Sequence, residues 1–225
     1  MTHLECGVVS VELVYYYICF PLAVILVFSI HEYSRAVAST LLGDVTPKLK
    51  KRLSFNPLKN VEPIGLIFAL ITGFGWGNPV PTSALHYKNK KLGTVIAYVI
   101  PMMVNAVFAV GFNLIFKLMD NYANLPAPGM LRNLYLATMV FVGYLAMFNM
   151  SYALFNLVPV YPLAGSKILT ALISPEATVK KAHFEAILQL VLIVLMLAGL
   201  FHSVIFPICD VILDGTMTNM PFSIR

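Results

Sequence analysis

The sequence predicts an all-α membrane protein, a polytopic helical bundle that forms a single integral membrane domain over residues 1–225. Hydrophobic residues make up 59% of the chain and charged residues only 11%, with a mean hydropathy of +0.83, whereas a soluble domain is about 45–50% apolar. Several uncharged stretches approach or exceed the roughly 20 residues that a membrane-spanning helix needs. No glycine–serine linker or fixed-period repeat divides the chain, so we expect one domain.

Four full spans are predicted near residues 13–34, 92–117, 133–158 and 185–209, because each contains a long uncharged apolar run. A fifth apolar stretch, at residues 64–77, is too short to cross a bilayer and is interrupted by Gly65, Gly73 and Gly75. It favours a re-entrant or short hairpin segment.

The third apolar run, Asn133–Ser166, is too long to be one straight helix. Its 34 residues would extend about 51 Å, whereas the hydrocarbon core is about 30 Å thick. Pro159 and Pro162 predict a break that leaves Val158–Gly165 extended near the inner membrane boundary. Non-helical backbone at this depth must be buried by protein or border a polar cavity, so we expect a cavity beside the inner end of the first span.

The distribution of basic residues predicts the orientation. Eleven Lys and Arg residues lie in segments 48–59, 88–91 and 167–181, all on one side of the predicted spans, and the other side has only Lys117, Arg132 and Arg225. Cytoplasmic loops are rich in Lys and Arg, so we expect the basic loops in the cytoplasm and the N-terminus outside. Topology and anionic headgroups thus explain the net charge of +5. The lipid bilayer is the expected partner, and nucleic acid is not.

A motif of chemical interest, SIHEYSRAVASTLLGD, occupies residues 29–44. In the zinc-binding pattern H-E-x-x-H, the two histidines share one helix face and the glutamate acts on a metal-bound water. Here His31 and Glu32 are present, but Arg35 replaces the second histidine. A guanidinium has no lone pair to donate, and it would repel Zn²⁺ about 4 Å away by roughly 8 kcal/mol at an effective dielectric constant of 20.

Three blocks in a fixed order make a family resemblance specific. They are HEYSRAVASTLLGDVTPKLKKRLSFNPLKNVEPIGL, GFGWGNPVP and NLVPVYPLAGSKIL, and together they run from residue 31 to residue 169. The chain resembles the site-2 protease family of intramembrane zinc metalloproteases (peptidase M50-like), in its compact bacterial form. The resemblance implies a site-2 protease-like core in a bacterial cell membrane.

The resemblance also implies roles for particular residues. His31 would be a zinc ligand and Glu32 the catalytic general base. The family's third ligand is an aspartate in N-x-x-P-x-x-P-L-D-G, and the matching residue here is Ala164. Because Arg35 and Ala164 occupy two ligand positions, the chain resembles a degenerate member in which His31 is the only retained ligand and Glu32 is vestigial.

Two asparagines complete the implied site. By resemblance, Asn105 and Asn156 would offer amide groups to a substrate segment, and hydrogen bonding between helices is the equal alternative. Glu32 and Arg35 are three residues apart on the predicted helix, so we expect them to form an ion pair. The guanidinium would then occupy the volume where zinc and its water would lie.

Three functions therefore stay open. The first is a catalytically inactive pseudoprotease, without a cofactor, that binds membrane segments or membrane-protein partners. The second is an active intramembrane zinc metalloendopeptidase with replaced ligands, for which His86 is a candidate. A small channel or transporter ranks third, because the sequence has no paired half-repeats.

Overall fold

A computed structural model describes residues 15–121, 129–173 and 175–214 of the protein, and within these ranges the regular structure is helical. A π-helical turn, Tyr15–Cys19, leads into the long helix α1, Phe20–Leu41. The one-turn helices α2, Thr46–Leu49, and α3, Pro57–Asn60, follow, and then α4, Pro63–Thr72.

Helix α1 extends beyond the first predicted span. The sequence predicts a span near residues 13–34, but the helix continues to Leu41. Its buried face extends through Arg35 to Ser39, and the charges on this face are paired inside the protein. The helix therefore has no need to end where the first charged residues occur.

Helix α4 forms one arm of the predicted hairpin at residues 64–77. The Glu62 side chain accepts a hydrogen bond from the Gly65 N–H at its start, and Gly73 ends it with φ +78°. The chain then returns without regular structure until Gly77 forms an isolated antiparallel bridge with Val61. The hairpin thus consists of one short helix and one irregular segment that returns to Val61.

The centre of the bundle is a pair of long helices. After a 3₁₀ turn, Ala84–His86, helix α5 runs over Lys90–Asn121 and contains Pro101, and helix α6 runs over Met130–Phe155. Helices α5 and α6 pack against each other, and α1 packs against both. Two buried apolar clusters line this packing, one of them rich in aromatic side chains from α1 and α6.

The break after α6 comes slightly earlier than predicted. The sequence predicts an extended Val158–Gly165, but α6 ends at Phe155 and helix α7, Ala164–Leu172, begins at Ala164. The Asn156 side chain links the two helix ends, because its Nδ2 donates to the Tyr152 carbonyl at 2.9 Å and its Oδ1 accepts the Ala164 N–H at 3.2 Å. One side chain thus bonds to the last turn of α6 and to the first N–H group of α7.

The last predicted span, residues 185–209, falls on two helices that are separated by a bend. Helices α8, Pro175–Leu197, and α9, Leu200–Ile212, meet at a bend of 68°. Gly199 adopts φ +73° there, a conformation that glycine tolerates. Within the described ranges, α1, α5 and α6 are long and apolar enough to cross a membrane, and the bent pair makes a fourth if it counts as one span. The chain is a polytopic helical membrane protein, as the sequence predicts.

Candidate functional site

The H-E dipeptide lies on a buried face of α1, inside the protein. His31 is 0% exposed, and Glu32 and Arg35 are each 2% exposed. Residues four apart share a helix face, so His31 and Arg35 point the same way. Charged side chains at this degree of burial are stable only when they are paired and hydrogen-bonded.

Arg35 provides this pairing. Its Nη1 donates to both Glu32 carboxylate oxygens, at 3.0 and 2.9 Å, and its Nη2 lies 2.9 Å from His31 Nε2. The guanidinium carbon is 4.8 Å from the centre of the Tyr98 ring, within the range of a cation–π interaction. The expected ion pair is therefore present, and Arg35 points into the protein.

The hairpin covers the other side of Glu32. The Val80 N–H donates to Glu32 Oε2 at 2.8 Å, and the Gly77 N–H donates to the Tyr152 hydroxyl at 3.1 Å. Gly77 is close to the glutamate, because a Cβ there would lie 3.4 Å from Glu32 Cγ. The Tyr152 ring packs edge-on against His31, with 4.9 Å between ring centres.

A chain of hydrogen bonds fixes the tautomer of His31. The Leu145 carbonyl can only accept, so the Asn149 amide nitrogen faces it, at 2.7 Å. Asn149 Oδ1 then accepts from Asn105 Nδ2 at 3.1 Å, which leaves Asn105 Oδ1 facing His31 Nδ1, also at 3.1 Å. His31 Nδ1 must therefore carry the proton. The Nε2 lone pair accepts from Arg35, which has only donors.

The two asparagines that were predicted to bind substrate make different contacts. Asn105 orients His31, whereas Asn156 bonds to the main chain at the ends of α6 and α7. Ala164, which the sequence predicts at a ligand position, is fully buried in the same apolar cluster as Tyr98, the ring that faces Arg35. The side-chain oxygen and nitrogen of both asparagines form hydrogen bonds within the protein.

His86 belongs to a different cluster. Its Nδ1 donates to Asp44 Oδ1 at 3.0 Å, and Asp44 is buried beyond the end of α1. Burial raises the pKa of Asp44, but hydrogen bonds from Thr46, Ser83 and Ser39 outweigh burial and hold this pKa below its ordinary value. His86 is therefore no substitute ligand beside His31.

The residues around His31 do not fit a zinc ion. His31 Nδ1 is a donor to Asn105 and Nε2 faces a guanidinium N–H, whereas zinc requires a free lone pair on a ring nitrogen. Over the ranges that the structure describes, no three His, Cys, Asp or Glu side chains are grouped so that they could hold a metal.

The sequence alone did not identify Asn149 and Tyr98 as members of this site. Asn149 carries a signal that could have found it, because it is an amide within the apolar run of α6. Tyr98 has no such signal, since it is one of 11 tyrosines. Its position over Arg35 depends on how α5 packs against α1.

Fold and site together define a polytopic membrane protein with a metalloprotease-like His-Glu helix. The chain is 30% identical over 190 residues to the Bacillus subtilis (strain 168) protein named "Putative zinc metalloprotease YwhC", and the match covers 84% of each chain. The chain belongs to the site-2 protease-like family of this relative. No family model matches the sequence. No solved structure matches it either.

Proposed function

We propose that this chain is a pseudoprotease, a catalytically inactive family member that binds membrane segments or membrane-protein partners within the bilayer. The observation that carries this proposal is the position of the Arg35 guanidinium. It lies 2.9 Å from His31 Nε2 and 2.9 Å from the nearer Glu32 oxygen.

The chemistry of these contacts opposes hydrolysis. A zinc peptidase uses the histidine lone pair for the metal and the glutamate for proton transfer. Here a permanently protonated side chain uses both groups as hydrogen-bond acceptors. Ala164 contributes a methyl group where the family has a carboxylate, and a methyl group cannot coordinate a metal.

An apolar groove supports the binding part of the proposal. It has a volume of about 500 Å³ and lies between the broken end of α6 and the bent pair α8–α9. Its lining is apolar throughout: Leu154, Leu157, Val158, Leu195, Leu200, Phe201, Val204, Ile205 and Ile208. Apolar side chains of a neighbouring membrane segment match this surface.

The alternative is an active zinc metalloendopeptidase, which the name of the Bacillus subtilis relative favours. Metal content separates the two. The native chain, His31→Ala and the double variant Arg35→His/Ala164→Asp are purified in detergent without chelators, and zinc per chain is measured. We expect substoichiometric zinc in the native chain, unchanged by His31→Ala, and a gain of zinc in the double variant. Stoichiometric zinc in the native chain that His31→Ala abolishes would establish the peptidase.

Binding is tested by crosslinking from the groove. A photoreactive residue replaces Leu157, and a matched control replaces Val107, which is 71% exposed on α5. An added single-span apolar peptide is reconstituted with each variant in vesicles. We expect crosslinks to the peptide from position 157 well above those from position 107. Equal crosslinking from both positions would contradict a specific cleft.

A further inference from the structure

Two basic segments that are far apart in the sequence meet at one end of the bundle. Asp44 joins them, because its carboxylate accepts the Thr46 N–H at 2.9 Å and the Ser83 N–H at 2.7 Å. His86 adds a third bond at 3.0 Å. The segment that follows α1 is thereby held beside the segment that precedes α5.

Each segment contributes exposed lysines. Lys48, Lys50, Lys51 and Lys59 are exposed after α1. Lys88, Lys90 and Lys91 are exposed at the start of α5. The ion pairs among the described residues are Arg35–Glu32, His86–Asp44 and Lys117–Asp214, so none of them neutralises these lysines. We call the two segments, 45–59 and 85–92, the basic rim.

Large apolar side chains alternate with these lysines. Leu49, Leu58, Leu85 and Leu92 are between 56% and 90% exposed. Leu49 lies between two lysines, and Leu58 and Leu92 each adjoin one. A mixture of exposed leucine and lysine suits the boundary between headgroups and acyl chains, where a lysine extends its ammonium group toward phosphate.

The opposite end of the bundle has fewer cations among its described residues. Its described cations are Lys117, which pairs with Asp214, and Arg132, which is only partly exposed. The charge is therefore concentrated at the end where α1 finishes and α5 begins, next to two membrane-length helices.

We propose that the basic rim binds anionic phospholipids of the surrounding leaflet, with its lysines on the phosphates and its leucines at the acyl boundary. Charge complementarity favours this occupant, because seven unneutralised cations face a surface that carries negative charge. The interleaved leucines favour lipid over an acidic soluble protein, since such a protein offers no acyl layer to bury them. This interaction is independent of whether the chain cleaves peptides.

The role of the lysine charges is tested by measuring which lipids the chain retains. Native mass spectrometry compares the chain released from vesicles of equal phosphatidylglycerol and phosphatidylcholine with Lys48→Gln/Lys50→Gln/Lys51→Gln/Lys59→Gln. A matched variant changes the same four lysines to arginine, and Lys167→Gln removes an exposed lysine outside the rim. We expect the native chain, the arginine variant and Lys167→Gln to retain the anionic lipid preferentially, and the glutamine variant to lose at least about threefold of this preference.

The predicted position of the leucines at the acyl boundary is tested by measuring how deeply position 58 lies in the membrane. The only tryptophan, Trp76, is changed to Phe, and Leu58→Trp then reports the position of the rim. We expect lipids brominated in the acyl chain to quench its fluorescence and aqueous iodide to quench it weakly. Equal retention of both lipids by the native chain, an unchanged preference in the glutamine variant, or fluorescence of the Leu58→Trp variant quenched mainly by iodide would overturn the proposal.

Discussion

Arg35 supplies a charge at the position where a second histidine would supply a lone pair. Its positive charge balances Glu32, and His31 stays neutral because one ring nitrogen donates and the other accepts. The buried group therefore carries no net charge, although it contains two ions. The mutual attraction and hydrogen bonds of such a pair offset part of the cost of burying its charges, whereas a single buried ion costs several kcal/mol with no such offset.

The pairing predicts a non-additive double-mutant cycle. Arg35→Met leaves the Glu32 carboxylate buried with the Val80 N–H, and we expect a loss of about 3–5 kcal/mol in the free energy of unfolding. Glu32→Leu/Arg35→Met removes both ions and should cost clearly less than the sum of the two single changes. Denaturant unfolding in detergent measures all three.

Arg52→Met is the control for this cycle. Arg52 is partly exposed and donates to the Asn78 carbonyl at 2.7 Å, so its loss should cost less than that of Arg35. Costs that add up for the Glu32 and Arg35 changes would show that the two ions do not depend on each other.

Part of this site follows from sequence. A glutamate and an arginine three residues apart on a helix are close enough to pair, so the ion pair is predictable. The protonation of His31 is not, because it depends on Asn105, which lies 74 residues away. Nothing local to the H-E dipeptide indicates which amide will face it.

Among the structural elements, the hairpin depends on glycines that allow backbone to touch backbone. A Cβ at Gly65 would lie 2.0 Å from the Trp76 carbonyl oxygen, and a Cβ at Gly75 would lie 2.0 Å from the Gly65 carbonyl oxygen. The two arms therefore meet without intervening side chains, and this close contact places Gly77 and Val80 against Glu32.

Gly65→Ala should separate these arms. The clash is with main chain, which cannot rotate away, so we expect a loss of about 1–3 kcal/mol or more. Gly111→Ala is the matched helical control, since a Cβ there meets nothing within 4 Å. It should be neutral or stabilise by about 0.5–1 kcal/mol. Thermal unfolding of both variants in detergent tests this difference, and equal effects would contradict the close contact.

The Asp44 junction predicts a pH dependence. Because the folded pKa of Asp44 is lowered, its contribution to stability is fully present above the ordinary value of about 3.9 and is lost as the pH falls through the folded value. Asp44→Asn should cost about 1–3 kcal/mol at pH 7. This difference from the native chain should shrink below about pH 4.

Unfolding of Asp44→Asn in detergent at pH 7 and at pH values below about 4 gives this comparison. Asp120→Asn is the control, because Asp120 is exposed at the far end of α5. A cost for Asp44→Asn that stays constant with pH would mean that the negative charge is not what the junction uses.

The lengths of the elements show where sequence reasoning stops. A scan for uncharged runs ends a span at the first charged residues, so it shortens α1, whose ions are neutralised by each other. The same scan continues through Gly199, since an uncharged glycine gives no sign that it will bend a helix by 68°.

For the whole molecule, contacts at the two ends show how the bent pair runs. The Tyr161 N–H donates to Glu185 at 2.9 Å, which holds the start of α8 beside the break after α6. Lys117 pairs with Asp214 at the other end, after α9. Helix α5 ends near Lys117, and helix α6 returns from that end toward the basic rim. Helices α8 and α9 therefore extend from the basic rim to the opposite end of the bundle.

This arrangement predicts four crossings with the basic rim in the cytoplasm, because cytoplasmic loops are the basic ones. Cys6, Cys19 and Cys209 are changed to serine, and single cysteines are then introduced. A membrane-impermeant maleimide applied to spheroplasts should label Asn121→Cys and Asp214→Cys.

The same reagent should label Leu49→Cys and His183→Cys only after the membrane is broken. Labelling of positions 183 and 214 from one side would show instead that α8 and α9 turn back within the bilayer. Labelling of position 49 in intact spheroplasts would reverse the orientation and place the basic rim on the outer leaflet. The two questions are thus tested separately. Positions 183 and 214 flank the bent pair and report the number of crossings. Position 49 in the rim, compared with the opposite end of the bundle, reports the orientation.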